Sequence, residues 1–394
     1  YRSDDLGETW SFVSDDANIT ARPFYFYHLH SNPQNADELW VPGNKLWRSV
    51  DGGKTWILEP GIKDDFQDMW IDPKDANRMI VTCDGGTQVT LTGGKTWSSF
   101  ANQSGVQFYR VDTDDQFPYR VYGNAQDLLV YSVPSASRWG GIPLHMTDYI
   151  GSGETARAIP KPGDPNIVYS LATGASYGGA THFTVNNVKT GQTEPRSIWP
   201  EILFGTPASE FKYRFNWQAP FLVSPHDPKT IYMAGNVVFR TRDEGMTWEK
   251  ISDDLTLNLE DKMKVAGSPW LPEYFGQETF STIHRLVESP HQQGVLWAGS
   301  DDGLVHLTRD GGKTWNNVTP PGMPPWGTVS MIDPSPHDAG RAYIAVDGHQ
   351  ENVRDPHLFK TTDYGKTWEA INEGIPQSVL SYTSAIKEDP VRRG

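Results

Sequence analysis

Carboxylates beside glycine recur in this sequence at hairpin-like positions. They are Asp84 in Cys83-Asp84-Gly85-Gly86, Asp127 in Gln126-Asp127, Asp301-Asp302 before Gly303, and Asp347-Gly348-His349. Two carboxyl groups on one face, one protonated and one ionised, supply the acid and base that cleavage of a glycosidic bond requires. Asp84, Asp127 and Asp302 are therefore the candidate catalytic residues. Asp-Gly is also ordinary hairpin chemistry, since glycine takes the positive φ of a tight turn, so each has a competing structural explanation. Candidate binding residues are Asp347 and His349, together with Trp139, His145 and Trp270, which fall in two insertions.

A second set of aspartates is periodic. The pattern Ser/Thr-x-Asp-x-Gly-x-Thr-Trp ends at Trp10, Trp56, Trp248, Trp315 and Trp368, with Asp5, Asp51, Asp243, Asp310 and Asp363 at its centre. A degenerate copy ends at Trp97, where Thr92 replaces the aspartate. Recurrence of this kind marks a repeat architecture. The aspartate accepts backbone N–H bonds across its own turn. The glycine permits a left-handed backbone, and the indole is large enough to wedge against a neighbouring unit. A role needed in every repeat is structural, and these aspartates are read so.

The histidines carry less. Ser-Pro-His recurs at His226, His291 and His337, in different repeats, and reads as turn capping. His28 and His30 share a strand face, but a zinc site wants three or four converging ligands and the neighbouring sequence offers no third. No metal and no cofactor is assigned.

The elements that must position these residues follow from a second repeated signal. A β-branched or aromatic run, a turn containing proline, and a second such run precede each Asp motif. Examples are Met69-Trp70-Ile71 with Asp72-Pro73 and Met79-Ile80-Val81, and His284-Arg285-Leu286-Val287 with Ser289-Pro290 and Val295-Leu296-Trp297. Each unit reads strand A, Pro turn, strand B, hairpin, strand C, Asp turn, strand D. Four short antiparallel strands in roughly 45 residues make a propeller blade. Blades are expected near 22–60, 64–100, 105–150, 154–204, 214–256, 279–320 and 326–373, with strands C and D of an earlier one at 1–14. Insertions at 134–153 and 257–279 are long enough to serve function. Asp turns and Pro turns fall on one face of such a ring and B–C hairpins on the other, where sites form.

Composition sets outer limits. The net charge of −15 argues against nucleic acid, which wants a basic footprint. A single cysteine, Cys83, excludes an internal disulfide and leaves the compartment open. No apolar run is long enough to span a membrane. Both ends break within a repeat, so the sequence reads as a piece of a longer polypeptide, which would carry any signal peptide.

The boxes resemble the Asp-box, or BNR, repeats of sialidases, sortilin/VPS10 propellers and xyloglucanase-type glycoside hydrolases. Further stretches resemble large bacterial BNR-repeat proteins of sortilin-like or glycosyl-hydrolase-like type. These are Gln107-Phe108-Tyr109-Arg110-Val111 with Tyr122-Gly123 and Gln126-Asp127, Arg214-Phe215-Asn216-Trp217 with Ser224-Pro225-His226, and Thr361 to Trp368. The resemblance covers essentially the whole chain. It implies fourteen blades in two seven-bladed rings, so that 1–102 ends the first ring and 103–394 opens the second. One closed ring of seven or eight blades is the alternative. Arg157-Ala158-Ile159-Pro160 is only faintly similar to the sialidase arginine motif, and no xyloglucanase aspartate pair can be carried over.

The expectation is an all-β propeller of four-stranded Asp-box blades. It would be a secreted, periplasmic or cell-surface binding and assembly module for a protein, peptide or polysaccharide, within a larger assembly. The alternative is a glycoside hydrolase working through paired carboxylates in a cleft between rings.

Overall fold

The computed structural model describes residues 1–20, 26, 28–60, 65–100, 105–126, 128–151, 157–172, 182–201, 206–264, 267–268, 271–272 and 279–394. Asp127 and Trp270 lie outside the described residues. The chain divides into two compact units, Tyr1–Gly105 and Val106–Gly394.

The fold is an all-β propeller of the expected blades. The first unit holds a four-stranded antiparallel sheet over 30–58 and a three-stranded one over 66–90. The second holds four-stranded sheets over 108–150, 158–195, 221–250, 283–317 and 328–370. In each, strands A to D pair in chain order as a meander. At the degenerate box, the fourth strand shrinks to a bond from Ser98 N–H to Val89 O at 2.9 Å. Around Trp10 a short hairpin is closed by Arg2 pairing with Ser11. Helical structure among the described residues is confined to short 3-10 turns, and none is long and apolar enough to cross a membrane.

Within each unit the A strands of successive blades lie against one another, which makes strand A the inner one. Strand B is then covered on both faces by neighbouring blades. Leu296–Ser300 is buried at every position, as a strand shielded on both sides must be. Its blade and the next share a core that includes Trp297, Val305, Leu307, Val329 and Ile344.

The Asp boxes repeat one hydrogen-bond pattern. In the box at Trp315, Asp310 Oδ1 accepts Thr314 N–H at 3.0 Å and Oδ2 accepts the Thr314 hydroxyl at 2.7 Å. The Thr308 hydroxyl donates to Asp310 at 2.8 Å and accepts Gly312 N–H at 3.0 Å. Asp5, Asp51, Asp243 and Asp363 are held in the same way. These bonds to the ionised form pull Asp5, Asp51, Asp243 and Asp310 down to about 2. An acid this strong makes a poor proton donor or base at neutral pH, in keeping with a structural role.

Three of the box tryptophans join blades by a hydrogen bond. The indole N–H of Trp248, Trp315 and Trp368 donates to Arg196 O at 3.1 Å, Ile251 O at 2.9 Å and Val318 O at 2.8 Å, each in the preceding blade. The Ser-Pro-His turns make a second link. Each serine caps its turn, as at Ser289, whose Oγ accepts His291 N–H at 3.2 Å. The histidine Nε2 of His226 and His291 reaches onward to Ser289 O at 2.8 Å and Ser335 O at 3.1 Å. Since a carbonyl only accepts, Nε2 carries the proton. Serine rather than histidine is thus the cap, and histidine bridges blades. His337 does the same with Asp389 O at 2.8 Å, so residues 384–390 pack where the next blade would start.

The box glycine is required twice over. Gly312 has φ +93°, and a Cβ there would fall 2.8 Å from Ile251 O and 2.9 Å from Ile251 Cβ. Gly322 has φ +86° with open space around it. Gly322→Ala is expected to cost about 1 kcal/mol, the left-handed penalty alone. Gly312→Ala adds the collision and should cost about 2 kcal/mol or more. Urea midpoints of the two variants check the difference.

Candidate functional site

The B–C hairpins of the last two blades and the links into their A strands enclose a cavity of about 460 Å³ in the second unit. Asp301, Asp347 and His349 come from the hairpins, His284 from strand A of the first of these blades, Asn216 from an earlier link, and Phe280 and Trp326 from the links just before each strand A.

Asp301 sits one residue past the last pair of its strand, Ser300 with Ile283. Its N–H donates to Thr282 O at 2.9 Å. Its carboxyl accepts Thr282 N–H at 2.8 Å, the Thr282 hydroxyl at 2.6 Å and the Asn216 amide at 3.4 Å. Burial pushes it up to about 7, against the pull of the Thr282 and Asn216 bonds. A buried carboxyl of that strength is poised to give or take a proton at neutral pH.

Asp347 and His349 line the same cavity, His349 Nδ1 being 2.6 Å from Asp347 Oδ1. The His349 ring stacks on Tyr382 at 4.6 Å between centroids, which fixes its plane. His284 is half-buried, and desolvation, with Arg285 beside it, lowers it to about 3, so it is neutral. Trp326 is 38% exposed, and the Lys262 ammonium lies 4.4 Å from its ring centre. The lining is therefore two aromatic rings among amide, carboxyl and imidazole groups.

The other residues singled out from sequence fall elsewhere. Asp302 is 1% exposed and faces away from the cavity, accepting the Ser300 hydroxyl at 2.6 Å and Leu257 N–H at 2.8 Å. It ties the 257 loop to the hairpin. Asp84, in the first unit, holds the blade position equivalent to Asp301, one residue past the Cys83–Phe66 pair. It is exposed and accepts the Gln67 amide at 2.8 Å. Trp139 and His145 line a different, shallow cavity with Arg138 and Met146. His28 and His30 meet a residue that the local sequence did not offer, Asp68 of the next blade. Sequence reasoning favours Asp302 over its neighbour Asp301 and does not single out Asn216 or Trp326. The Asp-Asp pair is the available signal, but adjacent residues in a turn point opposite ways.

A second cavity, of about 670 Å³, runs along the inner strands and is lined by Arg110, Arg157 and Arg285. Arg157 is paired with Asp112 at 2.5 and 2.7 Å. Arg285 donates to His284 O and Ser330 O. Burial, with Arg110 nearby, lowers its guanidinium to about 9. A third cavity, of about 860 Å³, is a groove at the Asp-box side between two blades, where Arg240 is already paired with Glu249 at 2.7 Å.

No protein-family model matches the chain. A xyloglucanase of Hypocrea jecorina is 24% identical over 465 aligned positions, covering 98% of this chain and 52% of the relative. A xyloglucanase of a Paenibacillus species is 25% identical, covering 75% and 34%. A vacuolar protein sorting/targeting protein 10 of Laccaria bicolor is 26% identical over 110 residues, 28% of this chain and 7% of that protein. The chain spans about half the length of the first of these and less of the others. Among solved structures, YCF48 bound to D1 peptide aligns with a TM-score of 0.35 at 12% identity, covering 79% of this chain and 87% of that one. An ancestral GH74 enzyme aligns with a TM-score of 0.27 at 12% identity, covering 88% and 38%. The chain is an Asp-box β-propeller protein with relatives among xyloglucanases and VPS10 sorting proteins.

Proposed function

We propose that this chain is a secreted or cell-envelope binding module that takes a glycan in the cavity around Asp301 and Asp347, its two units being parts of two rings divided near residue 102. The lining carries the reading. Phe280 and Trp326 offer flat apolar surface to the C–H face of a sugar ring, and Asn216, Asp347 and Gln350 offer partners for its hydroxyls. Relatives named xyloglucanases support a polysaccharide over a peptide. Trp326→Ala and Asn216→Ala should each weaken binding about tenfold, roughly 1.4 kcal/mol. Calorimetric titration against a panel of soluble polysaccharides measures this. Absence of binding across the panel, or binding indifferent to both substitutions in folded protein, sinks the proposal.

A second reading is glycoside hydrolysis, with Asp301 as proton donor and Asp347, oriented by His349, as its carboxylate partner. The elevated proton affinity of Asp301 favours it. The same panel assayed for released reducing ends decides between the two readings. Release lost in Asp301→Asn or Asp347→Ala makes the cavity catalytic. Release lost in Asp84→Ala or Asp127→Ala moves the chemistry to those hairpins, and binding without release leaves the module reading.

A further inference from the structure

Outside that cavity, the first unit brings together three ligand-type side chains from two blades. His28 and His30 stand at the entry to strand A, His30–Asn32, of the first described blade, and Asp68 lies in strand A, Phe66–Ile71, of the next. Forty residues separate His28 from Asp68. Packing of these two inner strands against each other brings them within reach.

The geometry is that of a coordination site. Asp68 Oδ1 is 3.1 Å from His28 Nδ1 and 3.1 Å from His30 Nε2, and the three donor atoms all lie within 4.8 Å of one another. Donors bound at about 2.0–2.1 Å around a tetrahedral ion sit roughly 3.3 Å apart, close to both spacings. The imidazoles are crossed at 86° with centroids 5.9 Å apart, edge to face rather than stacked. His30 Nε2 is buried and 3.1 Å from Asp68 Oδ1, and among the described residues it has no well-aligned hydrogen bond. A buried imidazole nitrogen left in that state is costly, and a cation between it and the carboxylate would satisfy both. Met69 N–H donates to Asp68 Oδ1 at 2.8 Å, holding the carboxylate in place as outer-shell bonds do at metal centres.

We infer that His28, His30 and Asp68 form a binding site for a divalent transition-metal ion, zinc above others. Two imidazoles and one carboxylate suit zinc, which keeps three protein ligands and an open position where it meets other molecules. The Asp68 side chain is 59% exposed, so the fourth position faces solvent and accepts water or a ligand's oxygen. The ion would also tie two blades together through their inner strands.

The test is calorimetric titration of the untagged, metal-stripped chain with zinc, and of the same protein with cobalt, read by visible absorption. One site per chain is expected, with a dissociation constant of about 1 µM or tighter and the intense cobalt bands of a four- or five-coordinate centre. His30→Ala should weaken binding about 100-fold or more, as should Asp68→Asn, which keeps the side chain's shape and its bond to Met69 N–H. Circular dichroism confirms that both remain folded. Binding of several ions per chain, or affinity unchanged in folded Asp68→Asn and His30→Ala, overturns the inference, as does six-coordinate, water-like cobalt.

Discussion

Asp301→Asn should make the second unit more stable than the parent at pH 8 and leave it nearly unchanged near pH 4. Asp301 titrates at about 7 when folded, against 3.8 for an ordinary aspartate in water. Burial favours its protonated form, so between these two pH values the folded state holds a proton that the unfolded chain has released. Stability then falls as pH rises through this window and levels off above it. A rise of that size is worth about 4 kcal/mol at most. Asparagine does not titrate. Its oxygen can accept Thr282 N–H, and its NH₂ can donate to the Thr282 hydroxyl, so both Thr282 contacts survive and only the long Asn216 contact at 3.4 Å is lost. Urea unfolding of both proteins from pH 4 to 8 measures the effect. Parallel curves would mean that the carboxyl stays ionised throughout, and proton donation by Asp301 would lose its support.

Trp297→Ala should cost about 3–5 kcal/mol, the usual loss for a fully buried tryptophan. Trp297 is 1% exposed, lies in the core between the last two blades, and meets Trp368 edge to face at 6.2 Å between centroids. The substitution leaves a cavity at the interface that the Trp368 staple closes. Trp139→Ala removes an equally large side chain that is 63% exposed and should cost under about 0.5 kcal/mol. Unfolding midpoints of the pair give the contrast. Equal losses would mean that the blades do not pack through strand B as described.

These two tryptophans mark where reading the sequence stops. Fifteen tryptophans suggest both propeller wedges and sugar-stacking surfaces. The box tryptophans are legible as wedges because each follows its turn directly. Trp297, in an apolar run, shows its strand but not what covers it. For the cavity, Asp347 and His349 are legible as a pair, being two residues apart on one hairpin. Asp301 is not separable from Asp302, because their difference lies in what the neighbouring links bring against them.

The sequence by itself determined the blade: four strands, a Pro turn, and an Asp turn with its glycine. The bonds that make these units join residues two to four apart, such as Asp310 to Thr314 and Thr308 to Gly312. Contiguous residue types therefore suffice to encode them. Tertiary structure alone decided what stands between blades. It turned Asp301 inward and Asp302 away, aimed His291 at Ser335, and set Asp68 against His28 and His30. Those contacts span tens of residues and depend on how one twisted sheet packs on the next, a geometry that no local pattern of residue types contains.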